Sequence, residues 1–281
     1  MSVTAVPGFL AAGAACGVKA SGADDLAMVA PADGSPVTAA GVFTSNKMTA
    51  PPVLVTREHL AVTGGRAAAV VLNSGNANAA TGAAGMADAE LMCTLTAEAL
   101  GCSPDEVLVC STGLIGFPLP MDRIIPAIPL LAGALTVDGG PAAARAIMTT
   151  DTVPRTTITT GTTLDGDTFT IGGVAKGAAM LEPNMATMLA VLTTDALLDT
   201  VTATDLLRAA VGVSFNCLTV DGAESTNDTV LLLASGAAHE LGTPLATLSV
   251  ILGDWRHMEP FKSDRDMAQE IGEMQTQVLR C

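Results

Sequence analysis

Between Lys176 and Leu189 the chain reads Lys-Gly-Ala-Ala-Met-Leu-Glu-Pro-Asn-Met-Ala-Thr-Met-Leu, a setting in which one threonine, Thr187, has the makings of a nucleophile. A threonine hydroxyl attacks weakly at neutral pH unless a base lies within hydrogen-bond reach, and a threonine at a chain terminus can use its own α-amine for that purpose. That amine titrates near about pH 8, so much of it is neutral in a cell. Glu182-Pro183-Asn184 reads as a turn, because proline presets φ and asparagine tolerates unusual backbone angles, while Thr187 to Leu192 reads as a buried apolar strand. A turn feeding a rigid strand would hold the Thr187 hydroxyl against the Ala186 carbonyl. On residue chemistry alone a plainer reading is favoured, a turn and a core strand whose threonine is ordinary.

The other candidate groups are equally open when taken singly. Ser111-Thr112-Gly113 follows the apolar run Val107 to Cys110 and reads as a strand-ending turn. Lys176 reads as a solvated loop lysine, the usual fate of that side chain. Asn73-Ser74-Gly75-Asn76-Ala77-Asn78 reads as a loop after a strand from Ala68 to Leu72, its glycine and asparagines serving turn geometry. The cysteines, at 16, 93, 102, 110, 217 and 281, form no Cys-x-x-Cys pair and have no histidine at metal-ligand spacing. Neither a metal nor a redox dithiol is expected, and buried thiols in a reducing compartment are the plain reading.

These residues need elements to position them. Period-2 and continuous apolar runs predict strands at Ala68 to Leu72, Val107 to Cys110, Thr168 to Ile171, Met188 to Thr193 and Thr229 to Ala234. Helical spacing predicts helices over Met86 to Leu100 and Thr204 to Val213. That ordering is α/β and no more specific. Hydrophobic residues make up 49% of the 281, ample for a core of one large domain or two.

Several blocks in order resemble one family. Gly41 to Asn46, Asn73 to Ala79, Ser111 to Gly116, Met148 to Thr152, Lys176-Gly177, Pro183 to Leu189, Thr193 to Ala196 and Ser225 to Thr229 are similar to the ornithine acetyltransferases, the bifunctional enzymes of cyclic arginine biosynthesis. The resemblance spans residues 1 to about 236. It implies a layered α/β sandwich with mixed sheets, of the self-cleaving threonine-nucleophile type, in which Thr187 begins a central strand. It implies cleavage between Ala186 and Thr187, giving an α chain of residues 1–186 and a β chain from 187, the two assembling as a heterotetramer. Acetyl would pass from N-acetylornithine to Thr187 and then to glutamate, with no cofactor and with acetyl-CoA as an alternative co-substrate. Thr112 and Gly113 match the family's oxyanion-hole pair, and Thr152 and Lys176 match substrate-binding positions beside Thr187.

Past Ser235-Gly236 the family pattern is expected to continue through a long second half of the β chain, and residues 237–281 differ from it. Ala237 to Thr247, with His239-Glu240 at its centre, resembles the phosphoacceptor box of a sensor histidine kinase, and Ile271 to Cys281 the second helix of that dimerisation hairpin. Eleven of those 45 residues are charged against 15% for the chain, and the only tryptophan lies there, which supports a join at 236/237. Leu245, Leu248, Ile251 and Leu252, then Met267, Ile271, Met274 and Val278, fall at helical spacing. His239 is read as a relic phosphoacceptor, since phosphoryl transfer requires bound nucleotide and Mg²⁺ that this segment is too short to hold. Two functions follow: an acetyltransferase, its activity reduced or lost through the missing β-chain residues, or a catalytically incomplete hybrid whose tail is a helix-pairing module.

The formal net charge of -15 argues against nucleic acid and anionic membranes as partners, and small-molecule chemistry is the better expectation. No run approaches the roughly 18 apolar residues of a membrane span. The apolar stretch Phe9 to Cys16 has no preceding lysine or arginine, as a secretory signal would require, so a cytoplasmic protein is expected.

Overall fold

Burial and pairing sort ten strands and five α-helices into layers in the computed structural model, which describes residues 2–162, 166–177, 188–217 and 224–238. In chain order these are β1 (Phe9–Ala14), β2 (Leu26–Pro31), β3 (Val37–Phe43), α1 (Pro51–Val62), β4 (Arg66–Ala67), β5 (Ala69–Asn76), α2 (Gly82–Leu100), β6 (Val107–Leu114), α3 (Met121–Gly133), α4 (Gly140–Ala146), β7 (Arg155–Thr162), β8 (Thr168–Lys176), β9 (Leu189–Thr194), α5 (Thr200–Gly212) and β10 (Thr229–Ala234). One sheet has the order β1-β2-β5-β6 and the other β4-β3-β10-β9-β8-β7. Both are mixed: β5 runs parallel to β6 and β10 parallel to β9, while the remaining neighbours are antiparallel.

The alternation of side chains explains the layering. Val29, Leu72, Cys110, Val174, Val191, Leu231 and Leu233 meet between the two sheets, joined by Ala143 and Ile147 around α4. The opposite face of the four-stranded sheet, with Met28, Val71 and Val109, packs on Met92 and Cys93 of α2 and on Ile124 and Ile128 of α3. On the far side Ala190, Leu192, Val230 and Leu232 pack on Leu206, Leu207 and Ala210 of α5. The expected layered α/β sandwich with mixed sheets is what forms. Every residue of β2, β9 and β10 is buried, which is why β9 and β10 read as apolar runs; edge strand β7 alternates between half-buried and exposed up to Thr160, with Gly161 buried.

The predicted elements are present: β5, β6, β8 and α2 run beyond their predicted ends, β10 keeps its predicted bounds, β9 is displaced by one residue and α5 starts four residues earlier and ends one earlier. Asn73 to Asn76, read as a loop, continues β5, and Ser111 to Gly113, read as a turn, continues β6. The reason is mutual satisfaction: the Ser111 hydroxyl donates to Asn73 Oδ1 at 2.6 Å, and Asn73 Nδ2 donates to the Asn76 carbonyl at 2.8 Å. Helix α3 carries Pro126 and Pro129 in its interior. Each costs about 3 kcal/mol, offset by burying Ile124, Ile128 and Leu131 at about 1.5–3 kcal/mol apiece. Of the cysteines, Cys93 and Cys110 are buried and Cys16, Cys102 and Cys217 only half-buried. The turn at Glu182-Pro183-Asn184, the Ala186/Thr187 bond, His239 and the C-terminal hairpin of 237–281 from residue 239 onward lie outside the described residues.

Candidate active site

Polar strand ends from both sheets converge on one small cavity, lined by Thr112, Lys176, Met188, Leu189, Ser225, Asn227 and Asp228. Thr112 comes from the end of β6, Lys176 from the last position of β8, and Met188 from the residue before β9. Asn227 ties the two sheets together, its Nδ2 donating to the carbonyls of Ala77 at 2.6 Å and Ser111 at 3.0 Å. The neighbouring Asp228 carboxylate accepts the Met188 N–H at 2.9 Å, and the Thr229 N–H donates to the Met188 carbonyl at 2.9 Å. The chain is therefore held at both polar groups of the residue that follows Thr187.

Lys176 is 3% exposed, so it is not the solvated lysine that its residue type suggests. Burial holds its pKa below the ordinary lysine value, while Asp151 and Asp228 act in the opposite sense and Lys19 adds to the lowering. Its Nζ lies 3.3 Å from Thr149 Oγ1. The loop before β7 braces the same strand end, since Asp151 accepts the Gly177 N–H at 2.9 Å and faces Arg155 Nε at 3.5 Å. Thr152 sits on this loop next to Asp151, with its own side chain exposed and outside the cavity lining.

Gly113 follows Thr112 and is solvent-exposed, with φ +138°. It packs backbone to backbone on Gly75, where a Cβ at position 113 would lie 2.2 Å from the Gly75 carbonyl carbon. Only glycine fits where these two backbones meet.

Thus the cavity unites Thr112 and Lys176 with the residue after Thr187, places Gly113 beside it and leaves Thr152 at its margin. Asp151, Asn227 and Asp228 went unassigned in the sequence reading. Their signal was present, because each stands in a motif block already singled out for resemblance.

Two mixed sheets packed face to face between helical layers, with this polar cavity at the start of a central strand, are the architecture of the threonine-nucleophile class. The ArgJ family model matches residues 10–270, and the chain belongs to the ArgJ family. It is 51% identical over 238 residues to the arginine biosynthesis bifunctional protein ArgJ of Streptomyces coelicolor, covering 85% of this chain and 60% of that protein. Against the protein of the same name from Symbiobacterium thermophilum the identity is 50% over 236 residues, covering 84% of this chain and 58% of that one. Among solved structures it resembles the ArgJ of Bacillus halodurans, with TM-score 0.60 and 41% identity over 67% of this chain and 95% of that chain. It also resembles the ornithine acetyltransferase of Mycobacterium tuberculosis complexed with ornithine, with TM-score 0.57 and 42% identity over 67% of this chain and 96% of that chain. The chain spans about three fifths of the length of the curated relatives it matches. The family match runs past the compositional change at 237, and the likeness of the tail to a histidine kinase gains no support from these relatives.

Proposed function

We propose that this chain supplies the nucleophile and oxyanion-binding part of an acetyltransferase that moves acetyl from N-acetylornithine to glutamate through an acetyl-Thr187 intermediate. The observation that carries the reading is the cavity itself, where Thr112 and Lys176, remote in sequence, meet Met188, the residue next to Thr187. The family assignment and the ornithine complex of a 42% identical relative support the same substrates. Cytoplasmic location and assembly of the cleaved α and β chains as a heterotetramer belong to this proposal; among the described residues no helix is long and apolar enough to cross a membrane.

In this reading the Thr187 hydroxyl oxygen bonds to the Ala186 carbonyl carbon, the Ala186–Thr187 amide bond breaks, and water hydrolyses the resulting ester. A carboxylate is left on Ala186 and a free α-amine on Thr187. That amine then takes the hydroxyl proton as Thr187 attacks the acetyl carbonyl of N-acetylornithine, and ornithine leaves with the proton on its amine. The glutamate amine attacks the acetyl ester and restores Thr187. Each tetrahedral intermediate places negative charge on oxygen, where the Thr112 hydroxyl and the Gly113 N–H would donate; removing one such donor typically costs about 10²–10³ in rate. Thr152 and Lys176 would bind the substrate, Lys176 as counter-charge to its carboxylate, and acetyl-CoA would serve as a second donor.

Incubating the purified protein with N-acetylornithine is expected to add one acetyl group to the fragment beginning at Thr187, and glutamate is expected to remove it as N-acetylglutamate. Intact-mass measurement reads both steps. A cleaved protein whose Thr187 fragment stays unmodified at saturating N-acetylornithine would reject the transfer reading.

Lys176 sets an alkaline limit. As a counter-charge it must be protonated, and burial holds its pKa below the ordinary 10.5. Substrate binding should therefore weaken as pH rises through that lowered value. Lys176→Arg, whose guanidinium stays charged, should move the limb of the kcat/KM profile upward, and Lys176→Met should abolish the limb and raise KM at pH values below it, where the wild-type lysine is charged. An unchanged limb in Lys176→Met would assign it to another group.

A further inference from the structure

The start of β9 is fastened in an unusual way. The first ladder pair between β9 and β10 is Leu189 with Thr229, so Met188 lies one residue outside the regular pairing. Its N–H nevertheless has a partner in the carboxylate of Asp228, and its carbonyl accepts the Thr229 N–H. Asp228 is 1% exposed and is itself anchored, its carbonyl accepting the Thr44 N–H at 2.9 Å at the end of β3. Next to it, Asn227 reaches across to the four-stranded sheet.

From this arrangement we propose that Asp228 is a positioning residue: its buried carboxylate extends the ladder back by one residue and so fixes the peptide that carries the nucleophile, while its charge steadies the Lys176 ammonium. The inference rests on Thr187 being that nucleophile. The two jobs are chemically separable. Fixing the Met188 N–H needs only an acceptor oxygen, which an asparagine also offers. A neutral acceptor would do for the backbone, and burying a charged one is costly unless another charge compensates. The compensating charge is Lys176. The groups that bear on its charge are Asp228 before β10, Asp151 on the loop before β7 and Lys19 on the loop between β1 and β2, with the Thr149 hydroxyl at 3.3 Å. Removing Asp228 would leave Asp151 as its only nearby carboxylate among these.

The test compares Asp228→Asn and Asp228→Ala in the full chain by two readouts. The first is hydrogen exchange of the Met188 amide, measured in a Thr187→Ala background that keeps the chain whole. Asp228→Ala should speed this exchange by about tenfold to a hundredfold, the range set by losing a hydrogen bond to a charged group, and Asp228→Asn should stay within a few-fold of the parent. The second readout is the rate of appearance of the two cleavage products, followed by the kcat/KM profile of the cleaved protein against pH. Asp228→Ala should slow cleavage by a similar factor; Asp228→Asn should recover most of that loss, but with the alkaline limb of kcat/KM for N-acetylornithine, where Lys176 loses its proton, shifted to lower pH. Equal behaviour of Asn and Ala in exchange, or parental exchange in Ala, would overturn the positioning role. An unshifted limb in Asn would overturn the link to Lys176. If wild-type protein fails to cleave, the nucleophile reading falls, while the exchange comparison still decides whether Asp228 holds the strand start; should the Ala variant not fold, Asp228→Leu, which keeps the branching but has no acceptor oxygen, takes its place against Asp228→Asn.

Discussion

Thr187→Ala is expected to leave the chain as a single band of 281 residues, whereas the wild-type protein should separate under denaturing conditions into pieces of 186 and 95 residues. The effect is all or none because alanine offers no oxygen to add to the Ala186 carbonyl, and an uncatalysed peptide bond is otherwise stable on any laboratory timescale. The surroundings described above support the reaction: Met188 is fixed at both its polar groups, Thr112 lines the same cavity, and Lys176 supplies a buried cation. Intact mass reads the outcome. A wild-type protein that is folded by circular dichroism yet remains whole would sink the processing hypothesis.

Gly113→Ala should be strongly destabilising, although position 113 contributes no side chain. A Cβ there would stand 2.2 Å from Gly75 C and 2.4 Å from Asn76 N, and both neighbours are backbone, so neither can swing away. The φ of +138° adds a conformation that alanine avoids. Overpacking and backbone strain at about 1–3 kcal/mol each give a loss of about 2–6 kcal/mol, a large share of a domain's net stability. At this size that is a Tm drop on the order of 5–20 °C. Gly133→Ala serves as control, because nothing lies within 4 Å of its added Cβ and its φ is not in the left-handed region. A Gly113→Ala protein that melts with the wild type would mean that the Gly75–Gly113 contact relaxes freely and that glycine is kept there for another reason.

How much was legible beforehand follows from the range of the forces involved. Apolar periodicity is local, so β6, β10, α2 and α5 could be read from their own residues, and the ordered blocks around Thr112, Lys176 and Thr187 pointed to the family and to the candidate nucleophile. Helix α3 was not legible, because two prolines argue against it and only the four-stranded sheet beneath Ile124 and Ile128 overrules them. Nor were the polar ends of β5 and β6: Asn73 and Ser111 are loop-formers until each meets the other 38 residues away.

The sequence by itself determined which chemistry is available, since a hydroxyl, an amine and an ammonium are properties of residue type and their ordered motifs belong to one family. Tertiary structure alone decided which of them meet. It buried Lys176 between carboxylates from two separate loops, set Asp228 on the Met188 amide 40 residues away, and drew Asn227 across to the other sheet. Such contacts depend on strand order and register, which sum weak interactions over the whole chain, and no local pattern records them.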